Sequence, residues 1–110
     1  MTRPTFHIVP AEIWLASDAT QPYAAESLAS EGFIHCTDGE AALRATAARH
    51  FGDDPRDLLV LTIDLEKTGS PWRIDDVAGL YPHVFGAIDR AAILDVAPFK
   101  RDVAPAARRR

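Results

Sequence analysis

"DLLVLTID", residues 57–64, is the stretch on which the fold turns. Its apolar run is nearly continuous, as expected of a central strand buried on both faces. The rest of the chain has to supply its neighbours. Immediately before it, "DGEAALRATAARHF" (38–51) carries Leu43, Ala47, His50 and Phe51 along one stripe, which predicts a helix stopped at Gly52. Before that, "GFIHCT" (32–37) predicts a second strand, with Phe33, His35 and Thr37 facing one way and Ile34 and Cys36 the other. Thr37 and Glu40 have the spacing of a capping box, and Asp38 adds negative charge at the same helix start.

Further out the pattern continues. "TFHIVP" (5–10) reads as a first strand, with Pro10 in the first turn of a helix over "AEIWLASDA" (11–19) that "TQPY" ends. Ile13 and Trp14 of that helix point to the core. "AESLAS" (25–30) is a short helical turn before Gly32. Downstream, "LEKTGSP" is a loop or turn and "WRIDDV" a further strand. "YPHVFGAI" is a loop, and "AAILDVAPF" (91–99) is the last strand. Strands outnumber helices. The expected fold is an α+β domain: a compact, curved sheet, mixed or split, with two main helices packed on it.

Composition sets the bounds. A chain of 110 residues with 47% apolar content fits one domain with one real core, over about residues 5–99. The basic "APAARRR" tail within 100–110 reads as a flexible terminus. A net charge of −4 argues against nucleic acid as the main partner. No apolar run reaches the roughly 18–20 residues that span a bilayer, so no membrane partner is expected. One cysteine excludes an internal disulfide, and the first residues lack a signal-peptide pattern. A cytoplasmic location is the expectation. Oligomeric state is left open.

Chemistry rests on histidine. His7, His35 and His83 lie on or next to predicted strands in separate segments, and folding could bring them to one cleft. Local metal-ligand pairs such as H-x-H or C-x-x-C are missing, so a three-histidine metal site would depend wholly on tertiary convergence. Adjacent strand residues face opposite ways, so His35 does not activate Cys36, and the thiol is expected in the core. His50 sits on the apolar helix stripe and is assigned no catalytic role. In "LYPHVFG" (80–86), Pro82 stiffens the chain before His83, while Tyr81 and Phe85 flank it; a rigid aromatic-lined histidine suits ligand binding. Asp75 and Asp76 are adjacent, and either could orient a hydroxyl or a histidine. No P-loop, G-x-G-x-x-G or G-x-S-x-G pattern occurs.

"FHI" (6–8), Trp14, "SLASEGFIHCT" (27–37), "VLTID" (60–64) and "YPHVFG" (81–86), in this order, resemble a small, mostly bacterial family catalogued as domain of unknown function nine-five-two. The resemblance covers about residues 5–99. It implies a fold similar to the ADP-ribosyltransferases, a split sheet around a cleft that holds NAD in active relatives. NAD is accordingly the cofactor candidate, and a nucleotide-like small molecule the ligand. By the resemblance His7 would hold a ribose, and His35 or Thr37 would stand on the next strand of the cleft. The family's usual glutamate is replaced by Asp75. The expected catalytic set is His35, His83 and Asp75. The expected ligand-binding set is His7, Ser27, Phe33, Thr37, Tyr81 and Phe85. The same cleft could instead serve a non-catalytic binding module.

Overall fold

The computed structural model describes residues 2–100; the basic tail expected to be flexible lies outside the described residues, apart from Lys100. Strand β3 (Leu58–Asp64) is central, as its apolar run requires. It pairs antiparallel with β1 (Pro4–Pro10) on one side and β6 (Ile93–Pro98) on the other, giving the order β1-β3-β6. The β1–β3 ladder runs unbroken from Pro4↔Asp64 to Pro10↔Leu58. The second sheet is smaller. Strand β5 (Pro82–Val84) lies between β2 (Ile34–His35) and β4 (Trp72–Ile74), again all antiparallel. The two sheets meet where Phe6 and Thr37 exchange backbone hydrogen bonds of 2.8 and 2.9 Å. Of the expected alternatives, the split sheet is the one formed, and no described ladder is parallel.

Among the described residues three α-helices complete the α+β architecture: α1 (Ala11–Ala16), α2 (Glu26–Glu31) and α3 (Glu40–Phe51). Only α3 is long, so the expectation of two main helices is corrected. Helix α1 stops three residues early because Ser17 turns both its N–H and its hydroxyl onto the Trp14 carbonyl. Asp18 Oδ1 then accepts from the Thr20 N–H and hydroxyl, a local turn that competes with the helix.

The expected capping box also fails. Gly39, at φ 86°, is the residue before α3, and no side chain caps it. Thr37 is still held in strand pairing two residues earlier, and Asp38 pairs with Arg3 at 2.6 Å. A third correction concerns "YPHVFG". His83 is on a strand, not in a loop. Pro82 opens that strand, where its missing N–H costs nothing, while its carbonyl accepts from the Cys36 N–H at 2.9 Å.

Neighbouring β1 residues feed two separate apolar clusters. Val9 joins Ile34, Cys36, Leu61, Ile63 and Val84 between the sheets; Ile8 joins Leu43 and Ala47 of α3 and Leu58. Neighbouring residues of an extended strand face opposite ways, so one strand serves both clusters. Each fully buried branched side chain contributes roughly 1.5–3 kcal/mol. The cleft described next opens between α2, α3 and the strands where these clusters meet.

Candidate functional site

Strand β1 brings His7 to the cleft wall, but its ring is committed inside the protein. Nδ1 lies 2.7 Å from the His35 carbonyl, an acceptor, so Nδ1 carries the proton. Nε2 lies 2.8 Å from the Tyr23 hydroxyl, which must therefore donate. Burial lowers the pKa of His7 to about 4, against the opposing pull of the His35 carbonyl. Burial likewise raises the Tyr23 phenol. His7 is thus a neutral strut between β1, β2 and the segment before α2. Its ring lines the cavity, but both ring nitrogens already have partners, which leaves neither free for the ribose-holding role that the resemblance implies.

Strands β2 and β5 present a different pair. His35 and His83 are direct cross-strand partners, with ring centroids 5.7 Å apart. His35 is exposed, and its Nε2 lies 3.1 Å from Glu31 of α2. His83 is half-buried; burial and the neighbouring His35 lower its pKa. Phe33 stacks on the His83 ring at 4.1 Å and 17°. His50, on the last turn of α3, stands 6.4 Å from His35 and is exposed. His35, His83 and His50 therefore gather at short ring distances, and His7 lines the same cavity with its ring nitrogens already bonded.

These rings border a cavity of about 450 Å³, within the range of roughly 300–1,000 Å³ usual for small-molecule sites. Ile8, Val9, Pro10, Ile13, Ala25 and Phe51 supply apolar lining, and Tyr81 and Arg49 stand beside the histidines. The Arg49 guanidinium sits 5.9 Å over the Tyr81 ring, and among the described residues no carboxylate forms an ion pair with it. Three acids also line the space: Glu26, Glu31 and Asp76. Asp76 is occupied, accepting from the Leu80 and Tyr81 N–H groups at 3.0 Å each, and the Leu80 bond leads in holding its carboxyl below the usual range. Arg56 is bound to Asp54 at 2.7 Å.

The remaining expected site residues divide. Ser27, Thr37 and Tyr81 line the cavity. The Ser27 hydroxyl donates to the Phe33 carbonyl at 2.8 Å, and Thr37 Oγ1 is 3.4 Å from Thr46 Oγ1. Phe33 and Phe85 do not line it; they back the His83 ring from behind. Asp75 does not line it either. It pairs with Arg73 at 2.7 Å and stands 3.9 Å from His83 Nδ1, beyond hydrogen-bond reach. Cys36 is buried, and burial pushes its thiol up to about 12, which removes it as a nucleophile. Among the described residues no group of three or more His, Cys, Asp or Glu side chains is placed to hold a metal ion. No described helix is long and apolar enough to cross a membrane.

Sequence reasoning missed His50, Arg49 and the role of Tyr23. His50 fell on the apolar stripe of α3, and only the hand of the helix over the β2–β5 edge decides that it faces the cleft. Tyr23 sat in a stretch read merely as a helix stop.

The chain belongs to the family described as protein of unknown function (DUF952), which it matches over residues 8–96. It is similar to the crystal structure of protein CC0527 from Caulobacter crescentus, and equally to that of a double mutant of CC0527. Each is 27% identical, has a TM-score of 0.68 and aligns over 91% of this chain and 89% of its own. No curated protein matches the chain significantly.

Proposed function

We propose that the chain is a small transferase or hydrolase that takes a nucleotide-like, phosphate-bearing ligand in the histidine-lined cleft. One observation carries this reading: His35, His50, His83 and Arg49 converge at the mouth of a cavity with an apolar floor. The floor suits a flat ring. The mouth offers N–H donors where a phosphate would lie, and charge-assisted bonds of that kind are roughly twice as strong as neutral ones. Histidine adds proton transfer near neutral pH.

The ADP-ribosyltransferase-like reading of the split sheet makes NAD a natural member of this ligand class. The two aspartates after β4 do not fit conventional ADP-ribosyl transfer, which uses a free carboxylate at the nicotinamide ribose. Asp75 is drawn to Arg73 and Asp76 is spent on backbone N–H groups. Glu31 is paired with His35 and Glu26 stands on the lining away from the histidine pair's register, so the imidazoles are the groups to which proton transfer is assigned. The 3.9 Å gap between Asp75 and His83 favours one competing reading, a binding module without turnover.

Calorimetric titration with ADP-ribose, NAD and nucleoside monophosphates at millimolar ligand tests the proposal. Saturable binding is expected, weakened about 10-fold or more by Arg49→Ala, since a hydrogen bond to a charged group is worth roughly 1.5–3 kcal/mol. No response to any of the ligands overturns it. Binding without turnover of any of them selects the binding module.

A further inference from the structure

We propose that His35 and His83 form a general acid–base pair that cleaves the P–O bond of a ribonucleoside phosphodiester, of which a 2′,3′-cyclic phosphate is the smallest example. The inference rests on the reading of the cleft as a phosphate-bearing nucleotide site and names its substrate class. It starts from register. The two histidines are opposed residues on β2 and β5, so the sheet fixes their spacing, with centroids 5.7 Å apart. That is close enough for the rings to reach opposite sides of one tetrahedral phosphorus.

Their surroundings differ, which divides the roles. His35 has a carboxylate partner, Glu31, at 3.1 Å on Nε2, leaving Nδ1 as the nitrogen that can serve a ligand. His83 has none within hydrogen-bond reach. It stacks on the Phe33 face with the Phe85 edge beside it, and it faces His35 across the sheet, Asp75 and Asp76 beyond β4, and Arg73 on β4. His35 is therefore the proton donor and His83 the acceptor. Arg49 and His50, on the last turn of α3, stand where the non-bridging oxygens need donors.

The step balances as follows. His83 takes a proton from water as its oxygen bonds to phosphorus. The P–O bond to one ribose oxygen breaks, and that oxygen takes the proton of His35. The product is a nucleoside monophosphate, and solvent returns the proton from His83 to His35. The leaving group decides the substrate class. A sugar alkoxide is a strong base and needs a general acid, whereas a phosphate leaving from an anhydride does not. Two positioned imidazoles suit the first case.

The test is hydrolysis of adenosine 2′,3′-cyclic phosphate by the full chain, followed by ³¹P NMR. Formation of the 2′- or 3′-monophosphate is expected. The rate should follow a bell-shaped pH profile, as a general acid and a general base acting together give. His35→Ala and His83→Ala should each lower kcat by about 10²–10⁴-fold, and the double variant by little more than either, as groups acting as a unit do. If His83→Ala fails to fold, His83→Asn replaces it. Binding of adenosine monophosphate without cleavage of the cyclic ester overturns the inference and leaves the ligand-site reading intact. Cleavage that survives both substitutions also overturns it. Absence of both binding and cleavage overturns the two readings together.

Discussion

In the long sheet, β1 and β3 pair along their whole length, and its one histidine is locked between the His35 carbonyl and the Tyr23 hydroxyl. In the short sheet, strands of two and three residues place His35 and His83 side by side at an open mouth. The same side chain does opposite work in the two regions. Where both ring nitrogens are satisfied and water is excluded, imidazole is a neutral strut. Where a nitrogen is left over beside a cavity, it is available for the proposed proton transfer. The difference teaches that partner geometry, not residue type or strand position, separates a structural histidine from a reactive one.

The largest expected effect breaks the comparison at the short sheet. His83→Ala should cost about 10²–10⁴-fold in turnover of the cyclic phosphodiester while shifting the unfolding midpoint little, because the ring borders the cavity and not the core. Steady-state kinetics and a denaturant titration on the same preparation check both halves.

The long sheet should answer the other way. Leu61→Ala removes a fully buried side chain from the central strand and should cost about 2–5 kcal/mol in urea unfolding. Turnover per folded molecule should hold. A specific loss of turnover would mean that the two sheets are not separable in function.

His7 gives the next effect through pH. Its folded pKa, about 4, lies below the ordinary 6.5. The unfolded chain therefore binds a proton that the folded chain refuses. His7's contribution is complete above about pH 6.5 and is lost as pH falls toward 4, by about 3 kcal/mol at 1.36 kcal/mol per pH unit. Stability measured from pH 7 to 4 should show this slope, and His7→Phe should flatten it.

The smallest effect is at Phe33. Stacked aromatic pairs contribute roughly 0.5–1.5 kcal/mol, so Phe33→Leu should loosen the His83 ring at small cost to stability. Phe33 is a positioning residue here: kcat should fall with KM unchanged, and Phe33→Tyr should restore it.

Much of the scaffold is legible in the residues themselves. "DLLVLTID" can hardly be anything but a central strand, and the alternation in "GFIHCT" places Cys36 in the core and His35 outside it. What could not be read depends on distant partners. Strand β5 is three residues long and begins with proline, so only its two neighbours make it a strand. The early end of α1 follows from Ser17 and Asp18 competing for local hydrogen bonds. The composition of the mouth was half legible: His35 and His83 were visible, whereas His50 and Arg49 reach it only through the packing of α3, and the nitrogens of His7 are spent only because the His35 carbonyl and Tyr23 lie within reach.

The central claim is that the short-sheet histidines meet the ligand and the long-sheet histidine does not. A ¹⁵N NMR titration of the four imidazoles with adenosine 3′-monophosphate tests it most directly. The ¹⁵N resonances of His35, His83 and His50 should move as ligand is added, while His7 stays a neutral Nδ1–H ring throughout. Perturbation of His7 with His35 and His83 unmoved would contradict it.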